Sequence, residues 1–112
     1  MTKAKRAFEV VYRPATVRHL DAIDAKYLSM IRTTIEEQLS HEPFSETANR
    51  KPLLRQSPFG ENVWELRFGP QNRLRVFYCA DPDESRRVLV EAIGVKHRNR
   101  LTIGGQEVKY ES

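Results

Sequence analysis

Three arginines and one short basic cluster hold most of the chemistry that this chain's side chains offer. Arg67 stands in an alternating run at 63–68, and Arg73 and Arg75 stand in a second run at 73–80. Alternate residues of an extended strand share a face, so these three arginines project from one side of the pair, together with Glu65. Beyond a third run, at 88–95, comes Lys96-His97-Arg98-Asn99-Arg100. If that run lies beside the pair, its end brings further cations and one histidine to an edge of the same concavity. Planar guanidinium groups hold phosphate through paired N–H donors, so a polyanion is the ligand such a surface suits. The alternative at this point is a solvated face on which Glu65 pairs with an arginine across the strands.

The elements that must position these residues follow from periodicity. Residues 8–12 (Phe-Glu-Val-Val-Tyr) are aromatic and β-branched and are closed by Pro14, which predicts a first strand. Val17, Leu20, Ile23, Tyr27, Leu28, Ile31, Ile35 and Leu39 then recur at helical spacing up to about Ser40. Asp21 and Asp24 are candidate caps for a fresh start inside that stretch, so two helices in a hairpin are expected. Residues 44–60, after Pro43, carry Pro52, Pro58 and Gly60 without periodicity and read as a long connection.

Gly69-Pro70-Gln71-Asn72 turns the 63–68 and 73–80 strands into a hairpin. Residues 88–95 are apolar at nearly every position, as in the middle of a sheet. Gly104-Gly105 predicts a small terminal hairpin, because paired glycines supply the positive φ angles of a two-residue loop. The fold class is thus α+β: an N-terminal strand, a two-helix hairpin, then a largely antiparallel sheet of three or more strands with the helices on one face. Trp64, Leu66, Phe68, Leu74, Val76 and Tyr78 are expected beneath the helices. Glu65, Arg67, Arg73 and Arg75 are expected on the other face, in water or against a ligand.

Composition bounds the rest. The 112 residues, 39% apolar and 30% charged, predict one globular domain over 1–112 that needs neither disulfide nor metal. A formal net charge of +4 favours polyanionic partners. Cys79 is the only cysteine, reads as core filling, and suits a reducing cytoplasm. No apolar run nears the roughly 18 residues of a membrane span, and Met1-Thr2-Lys3-Ala4-Lys5-Arg6 has no apolar stretch behind it, so export is not expected. Cys79 and three scattered histidines lack metal-ligand spacing, Gly69 to Asn72 is no glycine-rich phosphate loop, and no Ser-His-Asp signature stands out. Neither metal nor cofactor is expected.

Trp64-Glu65-Leu66-Arg67-Phe68, Arg73-Leu74-Arg75-Val76-Phe77-Tyr78 and Ile93-Gly94-Val95-Lys96-His97-Arg98-Asn99-Arg100 resemble the successive C-terminal strands of the RelE/ParE superfamily of toxins. Asn49-Arg50-Lys51-Pro52-Leu53 resembles the basic approach to the first of them, and the resemblance spans about residues 8 to 103. It implies a RelE-like toxin of a type II toxin-antitoxin system, cytoplasmic, cutting messenger RNA in the ribosomal A site and inhibiting translation until a cognate antitoxin covers it.

Arg67 and Arg75 match basic positions of the second and third strands, Lys96 matches the lysine ending the fourth, and His97 with Arg98 stands where many members have arginine. Glu65 falls where the best-known branch has lysine. The terminal tyrosine of some members has no secure counterpart, although Tyr110 has the right type in roughly the right region.

Metal-free cleavage needs a base for the ribose 2′-hydroxyl, an acid for the leaving oxygen, and positive charge around the phosphate. The candidates for these tasks are Arg67, Arg75, Lys96, His97 and Arg98, with Arg50, Lys51, Arg73 and Arg100 as further RNA contacts. His97 is the candidate for proton transfer, since an imidazole ordinarily titrates near about 6.5. Glu65 is an alternative base, and His19 and His41 read as bystanders. Two other readings stay open: a ParE-like protein that poisons DNA gyrase by binding it, and a homologue that keeps only antitoxin binding.

Overall fold

The structure, a computed structural model, describes residues 8–53 and 57–110. The chain runs β1 (Glu9–Tyr12), α1 (Thr16–Asp21), α2 (Leu28–Leu39), β2 (Arg50–Pro52), β3 (Trp64–Phe68), β4 (Leu74–Ala80), β5 (Arg87–His97), β6 (Arg100–Ile103) and β7 (Gln106–Val108). The seven strands form one sheet in the order β2-β3-β4-β5-β6-β7, with β1 parallel to β5 and every other pairing antiparallel. One edge of the long β5 is shared: its first half takes β1 and its second half takes β6. None of the described helices is long and apolar enough to cross a membrane.

The two helices appear in the expected order, separated by a short 3-10 turn at Ala25–Tyr27 that Asp24 caps by accepting from the Lys26 amide. The first is only six residues long and makes its principal contacts with β5, so the paired hairpin expected from the sequence is not what anchors it. Ile31, Ile35 and Leu39 of α2 pack on Leu66, Phe68, Leu74, Val76 and Tyr78, the sheet face expected beneath the helices. Val17, counted in the apolar stripe, is instead 63% exposed.

The opposite sheet face differs from expectation, because it carries a core of its own. Phe77 is fully buried there with Val63, Ala92, Leu101 and Ile103, under Leu53, Phe59 and Tyr110. Phe59 stacks on Phe77 at 4.3 Å between ring centroids, and Tyr110 meets its edge at 5.3 Å. Burying one such aromatic contributes roughly 1.5–3 kcal/mol, enough to hold a loop and a tail across part of a sheet. Cys79, expected in the core, is half-exposed, and its thiol donates to Glu91 at 3.4 Å.

A bulge in β5 sets the site's geometry. Val90 pairs with Tyr78 and Ala92 with Phe77, which leaves Glu91 unpaired on β4. The extra residue reverses the alternation, so Val88, Val90 and Ile93 join the helix-side core while Ala92 joins the other. Lys96 therefore shares the face of Ala92. Gly94, between them, admits β6: a Cβ there would lie 2.6 Å from the Thr102 carbonyl oxygen. The terminal hairpin forms as expected, with Gly104 at φ +60° and Gly105 at φ +81°.

Candidate functional site

Arg67 and Arg75 are direct cross-strand partners on the face away from the helices. Both reach toward Glu65, which stands opposite Phe77, one alternation along the same face. Glu65 is completely buried, and its Oε2 accepts from Arg75 NH1 at 2.9 Å and from the Tyr110 hydroxyl at 2.6 Å. Its Oε1 is buried with no hydrogen-bond partner among the described residues; Arg67 NH2, at 3.9 Å, makes a charge contact only. Arg75 is itself 8% exposed and donates through Nε to the Asn72 carbonyl at 2.8 Å, so the β3–β4 turn fixes the guanidinium. A carboxylate held between arginines and a phenol rigidifies them, and here it offsets only part of the surrounding positive charge.

Lys96 completes the arrangement. Its ammonium lies 5.3 Å from the centroid of the Tyr110 ring. Loss of solvent, then the charge of Arg75, pushes its pKa below the ordinary lysine value; Arg67 and Lys51 push the same way, and Glu65 opposes them. Tyr110 moves upward, first through burial and then through its hydrogen bond to Glu65. It therefore stays protonated, donates to Glu65, and accepts from Arg75 NH1 at 3.2 Å.

Beside this cluster opens a hollow of about 460 Å³ lined by Gln71, Arg73, Arg75, Lys96, His97 and Arg98. Five of these six are residues singled out by sequence. Arg73 sits just before β4 rather than in it, half-buried. His97 ends β5, exposed at the rim, and Arg98 follows in the turn at φ +58°. Arg67 adjoins the hollow through Glu65 rather than lining it. Lys51, opposite Glu65 in register, belongs to the same charged face.

Two expected contacts lie elsewhere. Arg50 is 7% exposed and is committed to Gln38 Oε1 at 2.7 Å and the Ser45 carbonyl at 3.1 Å, with Glu42 at 4.0 Å. It pairs with Leu66 in register, so it points into the helical layer, one residue out of phase with Lys51. Arg100 is exposed opposite His97 in register and does not line the hollow. His19 is structural: its Nδ1 accepts from the Ile93 amide at 3.3 Å, and burial lowers its pKa.

Sequence reasoning missed that Glu65 is the hub and that Tyr110 reaches it. Strand alternation placed Glu65 on the right face, which is a usable signal. Tyr110 lies 45 residues away behind a hairpin and carried only its residue type.

No model of a known protein family matches the chain, and no curated protein sequence does. Among solved structures the chain is similar to a chain of the toxin-antitoxin complex RelBE2 from Mycobacterium tuberculosis, at 20% identity and a TM-score of 0.60. The match covers 80% of this chain and 99% of that one. At this identity the likeness defines the fold, a RelE-like α+β arrangement, and leaves the activity to be argued from the site.

Proposed function

We propose that the chain is the toxin of a type II toxin-antitoxin pair and cuts messenger RNA on the ribosome, without a metal ion. One observation carries the reading: Arg73, Arg75, Lys96, His97 and Arg98 converge on a single open hollow, with Arg67 beside it. The RelE-like fold and the toxin-antitoxin title of the similar structure support the class. The same title supports a cognate antitoxin as its partner; action in the cytoplasm is part of the proposal.

The reaction follows from the side chains. Arg75 keeps NH2 unengaged among the described residues, and with Arg67 and Arg73 it holds the scissile phosphate. His97, at the rim, takes the proton of the ribose 2′-hydroxyl as its oxygen attacks phosphorus. The bond to the 5′-oxygen breaks, and Lys96, whose lowered pKa makes it the better acid, protonates that oxygen. The products are a 2′,3′-cyclic phosphate and a free 5′-hydroxyl. Glu65 and Tyr110 keep Arg75 in place, and Glu65 does so without touching RNA, since it has no exposed surface.

Pulsed expression with mapping of new 5′ ends, with and without translating ribosomes, tests the proposal. New ends confined to translated messages are expected, and Arg67→Ala should reduce them about 100-fold or more while the chain stays folded. Arg75→Ala is the poorer probe, because it also strips a buried carboxylate of its partner. Intact messages with broken DNA and arrested replication would overturn the proposal in favour of gyrase poisoning. Expression without any effect on growth would leave a partner-binding homologue.

A further inference from the structure

Among the residues lining the cationic hollow, Gln71 alone carries neither a positive charge nor an imidazole. Arg73, Arg75, Lys96 and Arg98 only donate hydrogen bonds, and their charge commits them to phosphate oxygens. A side-chain amide both donates and accepts. Gln71 is exposed, and its side chain has no hydrogen-bond partner among the described residues, so the amide is free to meet a ligand in the hollow.

The backbone beneath it makes glutamine a costly choice. The β3–β4 connection is closed by the Arg73 amide donating to the Pro70 carbonyl at 3.1 Å, with Gln71 (φ 55°, ψ 27°) and Asn72 (φ 54°) as its two central residues. Positive φ at both marks a type I′ turn, which takes glycine, asparagine or aspartate because other side chains crowd the backbone there. Asn72 fits that rule and Gln71 breaks it. The turn is also tied to the site, since the Asn72 carbonyl accepts from Arg75 Nε at 2.8 Å. A residue held in a conformation that glycine would adopt with less strain, with an unpaired side chain at the wall of a hollow, is the kind of local strain that accompanies function.

What the amide meets follows from the proposed substrate. A phosphate seated on Arg75 and Lys96 brings with it the ribose joined through its 3′-oxygen, whose 2′-hydroxyl must stand about 3–3.5 Å from phosphorus before it attacks. That hydroxyl is the sugar atom closest to the hollow's walls. DNA presents the same phosphates without it, so the cations alone do not tell the two nucleic acids apart.

We infer that Gln71 reads the sugar: its amide hydrogen-bonds the ribose 2′-hydroxyl beside the phosphate in the hollow and gives the site its preference for RNA over DNA. The amide N–H donates to the hydroxyl oxygen, which leaves the hydroxyl proton for His97 at the end of β5. The inference rests on reading the hollow as an RNA phosphate site. It adds a specificity-determining residue to a cluster that by itself recognises only backbone charge.

The test uses the full chain and two variants. Gln71→Met keeps the length of the side chain and the strain of the turn but loses the amide, whereas Gln71→Gly loses the amide and suits the positive φ. Two single-stranded tetranucleotides of one sequence, all-ribose and all-2′-deoxyribose with uracil kept in both, are titrated and followed by NMR, alongside 5′-end mapping in a translating extract. Wild-type chain is expected to bind the ribose strand about fivefold more tightly than the deoxyribose strand, as one hydrogen bond allows. Both variants should weaken the ribose strand by about that factor and leave the deoxyribose strand within about twofold.

The urea midpoint of Gln71→Gly should hold or rise; a fall of more than about 0.5 M would make Gln71 a support of the turn and overturn the inference. Variants that weaken both strands equally, or neither, would also overturn it, while cut messages would leave the RNA reading intact. The contact belongs to the free chain, so binding of neither strand sinks the inference, and uncut messages would then take the RNA reading with it.

Discussion

Replacing Glu65 by leucine tests whether the carboxylate organises the cationic face. Leucine roughly keeps the volume, so the change removes charge and hydrogen bonds rather than opening a cavity. Arg75, 8% exposed, would then keep only the Asn72 carbonyl and the Tyr110 hydroxyl, and the Tyr110 hydroxyl would lose its acceptor. Removing one member of a buried ion pair costs about 3–5 kcal/mol, chiefly because the survivor is left charged and desolvated. Arg67, with 28% of its side chain exposed, can relax into water, so the lower end, about 3 kcal/mol, applies.

Urea unfolding reads this directly: with a slope of about 1–3 kcal/mol per molar, the midpoint should fall by roughly 1–3 M at unchanged slope. A triple variant, Glu65→Leu with Arg75→Met and Tyr110→Phe, removes every group left unpaired and should recover most of the loss, since an apolar replacement of a buried ion pair is often neutral. An unchanged midpoint in the single variant would refute the reasoning. A triple variant no more stable than the single would place the loss in packing instead.

Gly94→Ala should destabilise by about 1–3 kcal/mol in urea, because its methyl meets the Thr102 carbonyl at 2.6 Å and Ile103 Cγ1 at 2.7 Å and forces β6 away from β5. Arg50→Met should cost about 2 kcal/mol in the same assay; on the proposed RNA reading it leaves the salt dependence of binding untouched, whereas Lys51→Ala leaves stability alone and reduces the salt slope by about 1. Stability should fall as alkali is added. Tyr12, Tyr78 and Tyr110 are raised above 10.0, and the Cys79 thiol is pushed from 9.0 up to about 11, in each case first by burial. Above those reference values the unfolded chain has released protons that the folded chain still holds, so the contribution of these four groups is complete below about pH 9 and drains away as pH climbs past 10. A flat unfolding midpoint between pH 8 and 11 would contradict this.

What could be read in advance depended on whether each residue's environment was set locally. The β3–β4 hairpin was legible because Trp64, Leu66 and Phe68 alternate against Glu65 and Arg67 and a Gly-Pro turn follows. The Gly104-Gly105 turn was legible because its two positive φ angles demand glycine. β2 was not: three residues at a sheet edge leave no period to detect, so Arg50 and Lys51 looked equivalent although they face opposite ways. Nor was the phase of β5, where an apolar residue at nearly every position hides the bulge at Glu91.

That bulge decides the site. Without the unpaired Glu91, Lys96 would alternate onto the helical side and leave Arg67 and Arg75 without their third cation. The burial of Glu65 was hidden for a related reason: its hydroxyl partner, Tyr110, is brought in by a tail that announces no contact with β3. The residue types needed to hold phosphate could thus be named from the chain alone, whereas their convergence depends on one extra residue in β5 and on the folding of a remote tail across the sheet.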